Sequence, residues 1–111
     1  MSLAAENAEV LESIAARGTD LSIPRTIDFA HLLYSDVTAS EFKQVAEKAG
    51  YRVRMDIFPA SELDGQEGVW DVVASSTMVP TVEQVTRCEA ELDALARSFG
   101  GHADGWGFES S

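Results

Sequence analysis

Basic residues, cysteines and long apolar runs are all scarce in this chain. Of 111 residues only 8 are lysine or arginine, against 19 aspartates and glutamates, a formal net charge of −11. A field of that sign repels phosphate backbones and argues against direct binding of nucleic acid. It suits a basic protein partner, or simply a solvated surface. The single cysteine, Cys88, can form no internal disulfide, and without a second one there is no cysteine pair to hold zinc. A reducing, cytoplasmic setting is therefore expected. No apolar stretch approaches the roughly 20 residues of a membrane span, and the N-terminus lacks the basic-then-apolar order of a secretory signal. Met1–Leu3 read as an added leader that does little for the helix behind it.

What the chain does have is two kinds of periodicity. Residues 4–17, "AAENAEVLESIAAR", read as a helix with Val10, Leu11, Ile14 and Ala15 on one stripe, closed by Gly18. Residues 26–34, "TIDFAHLLY", read as a strand with Ile27, Phe29 and Leu33 on one face, and both faces partly apolar, as in a central strand. Thr38 with Glu41 has the form of a capping box opening a helix over 38–49, whose apolar face is Phe42, Val45, Ala46 and Ala49. Tyr51, Val53, Met55 and Ile57 then alternate with Arg52, Arg54 and Asp56, the pattern of a strand buried on one side.

An acidic, glycine-punctuated turn, "ASELDGQEG", precedes a third strand, "VWDVVASSTMV". Trp70, Val72, Ala74 and Met78 share one face of it. Thr81 with Gln84 repeats the helix-start device for a helix over 81–99, where Val85, Cys88, Leu92, Leu95 and Phe99 recur at three- and four-residue steps. Gly100-Gly101 stops it. The remaining segment holds "DGWGF", a short, glycine-broken strand suited to a sheet edge.

A helix followed by two strand–helix–strand units predicts one α+β domain over residues 1–111, a ferredoxin-like split βαβ sandwich. Its four-stranded antiparallel sheet would run in the order 4-1-3-2, with two helices on one face and an extra N-terminal helix.

Chemistry is sparse. His31 lies near Asp28, and His102 near Asp104, so a hydrolase built from these with Ser75 or Ser76 is conceivable. Yet there is no nucleophile elbow, no His-x-x-x-His and no paired-carboxylate spacing. Glu62, Asp64, Glu67 and Asp71 lack the alternating donors of a calcium loop. The glycine pairs follow a helix, whereas a nucleotide loop precedes one. No catalytic residue, metal or cofactor is expected. Asp104-Gly105-Trp106-Gly107 stands apart, because two glycines around one large ring imply a bent backbone with the tryptophan closing the core or anchoring a partner.

"ADGWGFES", after the long acidic helix "TVEQVTRCEAELDALARSFG", resembles the close of the regulator of ribonuclease E activity B (RraB-like) family. "IDFAHLLYSDVTASEFKQVAEKAGYRV", with its Gly50-Tyr51-x-Val53 junction, is similar to the same family's first strand, helix and second-strand opening. The stretch between the second and third strands looks shorter and differently composed here. The resemblance implies a ferredoxin-like fold, no catalysis, and a protein partner: a ribonuclease E-type endoribonuclease whose activity on RNA is restrained. On that reading Asp104 and Trp106, with the acids Glu62, Asp64 and Glu67, are the expected partner-binding residues of a monomer or weak homodimer. The alternative is a small-ligand-binding ferredoxin-like module with a pocket lined by Phe29, His31, Trp70 and Trp106.

Overall fold

Three hydroxyl groups decide where the helices begin. In the computed structural model, which describes residues 2–58 and 69–108, Oγ of Ser2 accepts from the Ala5 amide at 3.1 Å and opens α1, Leu3–Ala16. Ser2 and Leu3 are thus integral to the helix, contrary to the expectation of an idle leader. Oγ of Ser35 accepts from the Thr38 amide at 3.1 Å and opens α2, Asp36–Lys48. The expected capping box at Thr38 and Glu41 is therefore displaced by three residues. Ser35 leaves the strand in an extended conformation and reaches the free amides first, while Thr38 turns its hydroxyl back to the Ser35 carbonyl. Thr81 caps α3, Val82–Ser98, through the Gln84 amide, as the sequence pattern implied.

The strands are β1 (Arg25–Leu33), β2 (Arg52–Phe58), β3 (Val69–Met78) and β4 (His102–Phe108). They form one antiparallel sheet with the order β2-β3-β1-β4, which counted from the β4 edge runs 4-1-3-2. With three helices this is an open-sheet α+β architecture.

Alternation decides which side is core. Ile27, Phe29, His31 and Leu33 of β1 all point one way and are buried. Across the ladder, Phe29 sits opposite Ala74 and Trp106, and His31 opposite Val72. Ala39, Phe42 and Ala46 of α2, and Val85, Cys88, Leu92 and Ala96 of α3, close over that side. Val45 and Ala49, expected on the buried stripe of α2, are exposed, and Ala39 takes the inward place. α1 lies outside this layer and packs on α3. Facing one helix rather than a sheet, it buries only Asn7 and Leu11, so Val10, expected inside, is 43% exposed.

His31 is an ionisable group in the middle of this core. Its ring lies 4.9 Å from that of Phe42, tilted by 56°, and Nδ1 lies 3.3 Å from the Val72 carbonyl. Burial pulls its pKa below the ordinary 6.5, although the Val72 carbonyl and the charge of Asp93 favour the protonated form. The folded protein thus takes up a proton at His31 less readily than the unfolded chain, whose histidine titrates near pH 6.5, so stability should fall as pH drops through that point. Thermal melts between pH 7 and 5.5 should show this decline, and His31→Phe should flatten it. Equal slopes in parent and variant would assign the decline elsewhere. Asp93 is not a competing source in this window. Burial raises its pKa, but the Arg97 guanidinium and the Ala103 amide, each 2.8 Å away, leave it below 3.8 on balance. Its contribution is lost only as pH falls through that depressed value.

Candidate docking face

Strand β4 breaks its register with β1 within the tryptophan motif. Ala30 pairs with Gly105 and His31 with Ala103, so Asp104 is the extra residue of a β-bulge. Gly105 follows at φ +109, a backbone shape that a side chain would strain. The bulge pushes Asp104 out into solvent and turns Trp106 back over the core, beside Phe108 at 6.2 Å between ring centroids. The expected bend is present, and it separates the two residues: Asp104 is exposed and Trp106 half-buried.

The indole nitrogen of Trp106 is already used. Nε1 donates to Oδ1 of Asn7 at 2.9 Å, and Nδ2 of Asn7 donates in turn to Oγ1 of Thr86 and Oε1 of Glu89, at 3.0 and 3.1 Å. A buried amide thereby ties β4, α1 and α3 together with both of its ends satisfied. Asn7 did not emerge from the sequence as a functional or structural residue. Its one signal is position, because it lies four residues before Leu11 and so continues the inward stripe of α1.

The side of the sheet away from the helices carries the charged chemistry. Oγ of Ser75 donates to Oδ1 of Asp28 at 2.5 Å, and the Arg54 guanidinium meets Oδ2 at 3.3 Å. Asp71 stands directly across β2 and β3 from Asp56. Burial, followed by repulsion from Asp104 and Asp56, raises its pKa above the usual 3.8 against the pull of Arg54. Its Oδ1 is shielded from solvent and has no hydrogen-bond partner among the described residues. Asp28, Arg54, Asp71 and Asp104 border a shallow groove floored by Ala30, Val73, Gly105 and Gly107.

These positions bear on the earlier candidates. Asp28 and Ser75 lie on the open side, whereas His31 and Ser76 lie on the helix side, so the sheet itself separates His31 from its imagined aspartate. His102 is occupied with Tyr34, whose hydroxyl lies 2.8 Å from Nε2. Phe29 and His31 are each 1% exposed and form core rather than the lining of a ligand pocket. Among the described residues no cluster of histidine, cysteine and acids could hold a metal ion, and no helix is long and apolar enough to cross a membrane. Glu62, Asp64 and Glu67 lie outside the described residues. A comparison with curated proteins finds no match. The model of a protein family described as regulator of ribonuclease activity B, RraB, matches residues 4–108, and with nearly the whole chain covered the protein belongs to that family.

Proposed function

We propose that this protein is a non-enzymatic, cytoplasmic regulator that binds a ribonuclease E-type endoribonuclease through protein contacts and restrains its cleavage of RNA. The observation that carries the reading is the match to a family of ribonuclease regulators over residues 4–108. A net charge of −11 supports contact with a basic protein segment rather than with RNA itself. The strand order 4-1-3-2 with both core helices on one side favours the ferredoxin-like plan and leaves a sheet face uncovered by any described element. Asp104 and Trp106, with Glu62, Asp64 and Glu67, are the proposed contacts: the acids steer the encounter, and the exposed rim of the indole supplies apolar area.

The direct test adds the purified protein to a ribonuclease E-type enzyme cleaving a labelled RNA. Cleavage should slow at stoichiometric protein, and the effect should weaken as salt screens the acids. Undiminished cleavage at saturating protein, together with no detectable complex, would remove this reading.

A further inference from the structure

The side of the sheet that no described element covers has a shape as well as a charge. One register row across it reads Arg54, Val73, Ala30, Gly105, and the next reads Asp56, Asp71, Leu32. The first row shrinks from a guanidinium to a methyl group to no side chain, so a trough opens toward β4. A Cβ built on Gly105 or on Gly107 would meet nothing within 4 Å. The glycines of the tryptophan motif therefore do more than bend the strand: they leave space above the sheet.

Charge tells what the space fits. Asp28, Asp56, Asp71 and Asp104 share this face with Arg52 and Arg54, and Arg54 is paired with Asp28. Asp71 holds a solvent-shielded oxygen that nothing among the described residues bonds, and it faces Asp56 directly. Like charges opposite each other destabilise a sheet, and a buried acceptor without a donor does so too. A cation supplied from outside, held between Asp71 and Asp104, would offset the repulsion between the carboxylates.

We infer that this trough seats a lysine or arginine side chain from a basic segment of the partner protein, the aliphatic stem lying over Ala30 and Gly105 and the cationic head between Asp71 and Asp104. Long basic side chains suit such a place because stem and head want different surroundings. The inference rests on the functional reading above, and it locates the contact on the sheet face.

Two substitutions separate docking from folding. Gly107→Val puts a side chain into the trough, opposite Asp28, where the fold has room and a β-branched residue suits a strand. Asp71→Asn keeps the shape and removes the charge. Both variants should melt at or above the parent temperature, Asp71→Asn because it relieves the repulsion from Asp56. Binding to the purified ribonuclease E-type enzyme, and to a short peptide alternating lysine and valine, should weaken about tenfold or more in each. Glu12→Gln, which removes the same charge from the exposed side of α1, should bind like the parent.

Amide shifts on adding the peptide should concentrate at Ala30, Asp71, Gly105 and Gly107. If the parent binds the enzyme and both variants bind it equally well, the trough is not the contact, although the regulator reading stands. If the parent ignores the enzyme but takes the peptide at these amides, the regulator reading fails and the trough survives. Peptide shifts spread evenly over the helices would overturn the trough.

Discussion

Trp106→Ala is expected to lower stability by about 3 kcal/mol, the lower end of the range for truncating a large aromatic in a core, because the ring is only partly buried. For a domain of this size that corresponds to a drop in melting temperature of roughly 10 °C or more. Two losses combine. The ring leaves Phe108 and the cluster around Phe29 without a neighbour, and Oδ1 of Asn7 loses its donor. The second loss can be weighed against the first. Trp106→Phe keeps a smaller aromatic ring while removing the N–H and part of the indole's packing area, and should cost about 1–3 kcal/mol from orphaning the buried acceptor plus a smaller packing loss.

A double-mutant cycle with Asn7→Ala then reads the coupling between β4 and α1. A coupling near zero would mean that the Asn7 bond holds nothing together. Because α1 buries little else, amide exchange along Leu3–Ala16 should accelerate in Trp106→Phe while β1 and β3 remain protected. Full-strength binding of partner by a folded Trp106→Phe would place any contact role on the ring rather than on its nitrogen.

How far the sequence leads depends on the range of the interaction concerned. Alternation over 51–57 and on β1 reports a local fact, which side of each strand is apolar, and the structure places Tyr51, Val53 and Met55 inward, Arg52, Arg54 and Asp56 outward, and the β1 residues accordingly. The Thr81 cap and the bend at Gly105 are local too, and both were legible. The cap of α2 was not, because Ser35 and Thr38 are both good capping residues and only the exit path of β1 chooses between them. Asn7 is harder still. A polar residue on a helix reads as solvent-facing, and the partners that make it core lie 79, 82 and 99 residues away. Asp71 and Asp56 could each be assigned to the outward face from alternation, but that they stand opposite each other is a matter of register. His31 lay on the apolar side of its strand by simple counting. Its burial follows from Phe42 closing over it.

Gly101→Ala should be the other severe substitution, through sterics rather than lost contacts. Gly101 sits where the chain leaves α3 for β4, and its amide bonds the Ala96 carbonyl at 2.9 Å to close the helix. A Cβ there would stand 2.3 Å from the Leu32 carbonyl oxygen and 2.5 Å from Cδ1 of Leu33. Neither neighbour can give way cheaply, since Leu32 belongs to the backbone of a central strand and Leu33 is fully buried. Overpacking a core usually costs 1–3 kcal/mol, and a clash against backbone belongs at or above the upper end, about 3 kcal/mol. The strain should be relieved by releasing β4 from β1, which carries Trp106 away from Asn7. The variant is therefore expected to lose amide protection over His102–Phe108 first, with α1 following. Gly107→Ala is the matched control, with the same added methyl on the same strand and open space around it, so its effect should stay within about 0.5 kcal/mol. If Gly101→Ala melts as high as Gly107→Ala, the close approach of α3's end to β1 does not hold β4 in place.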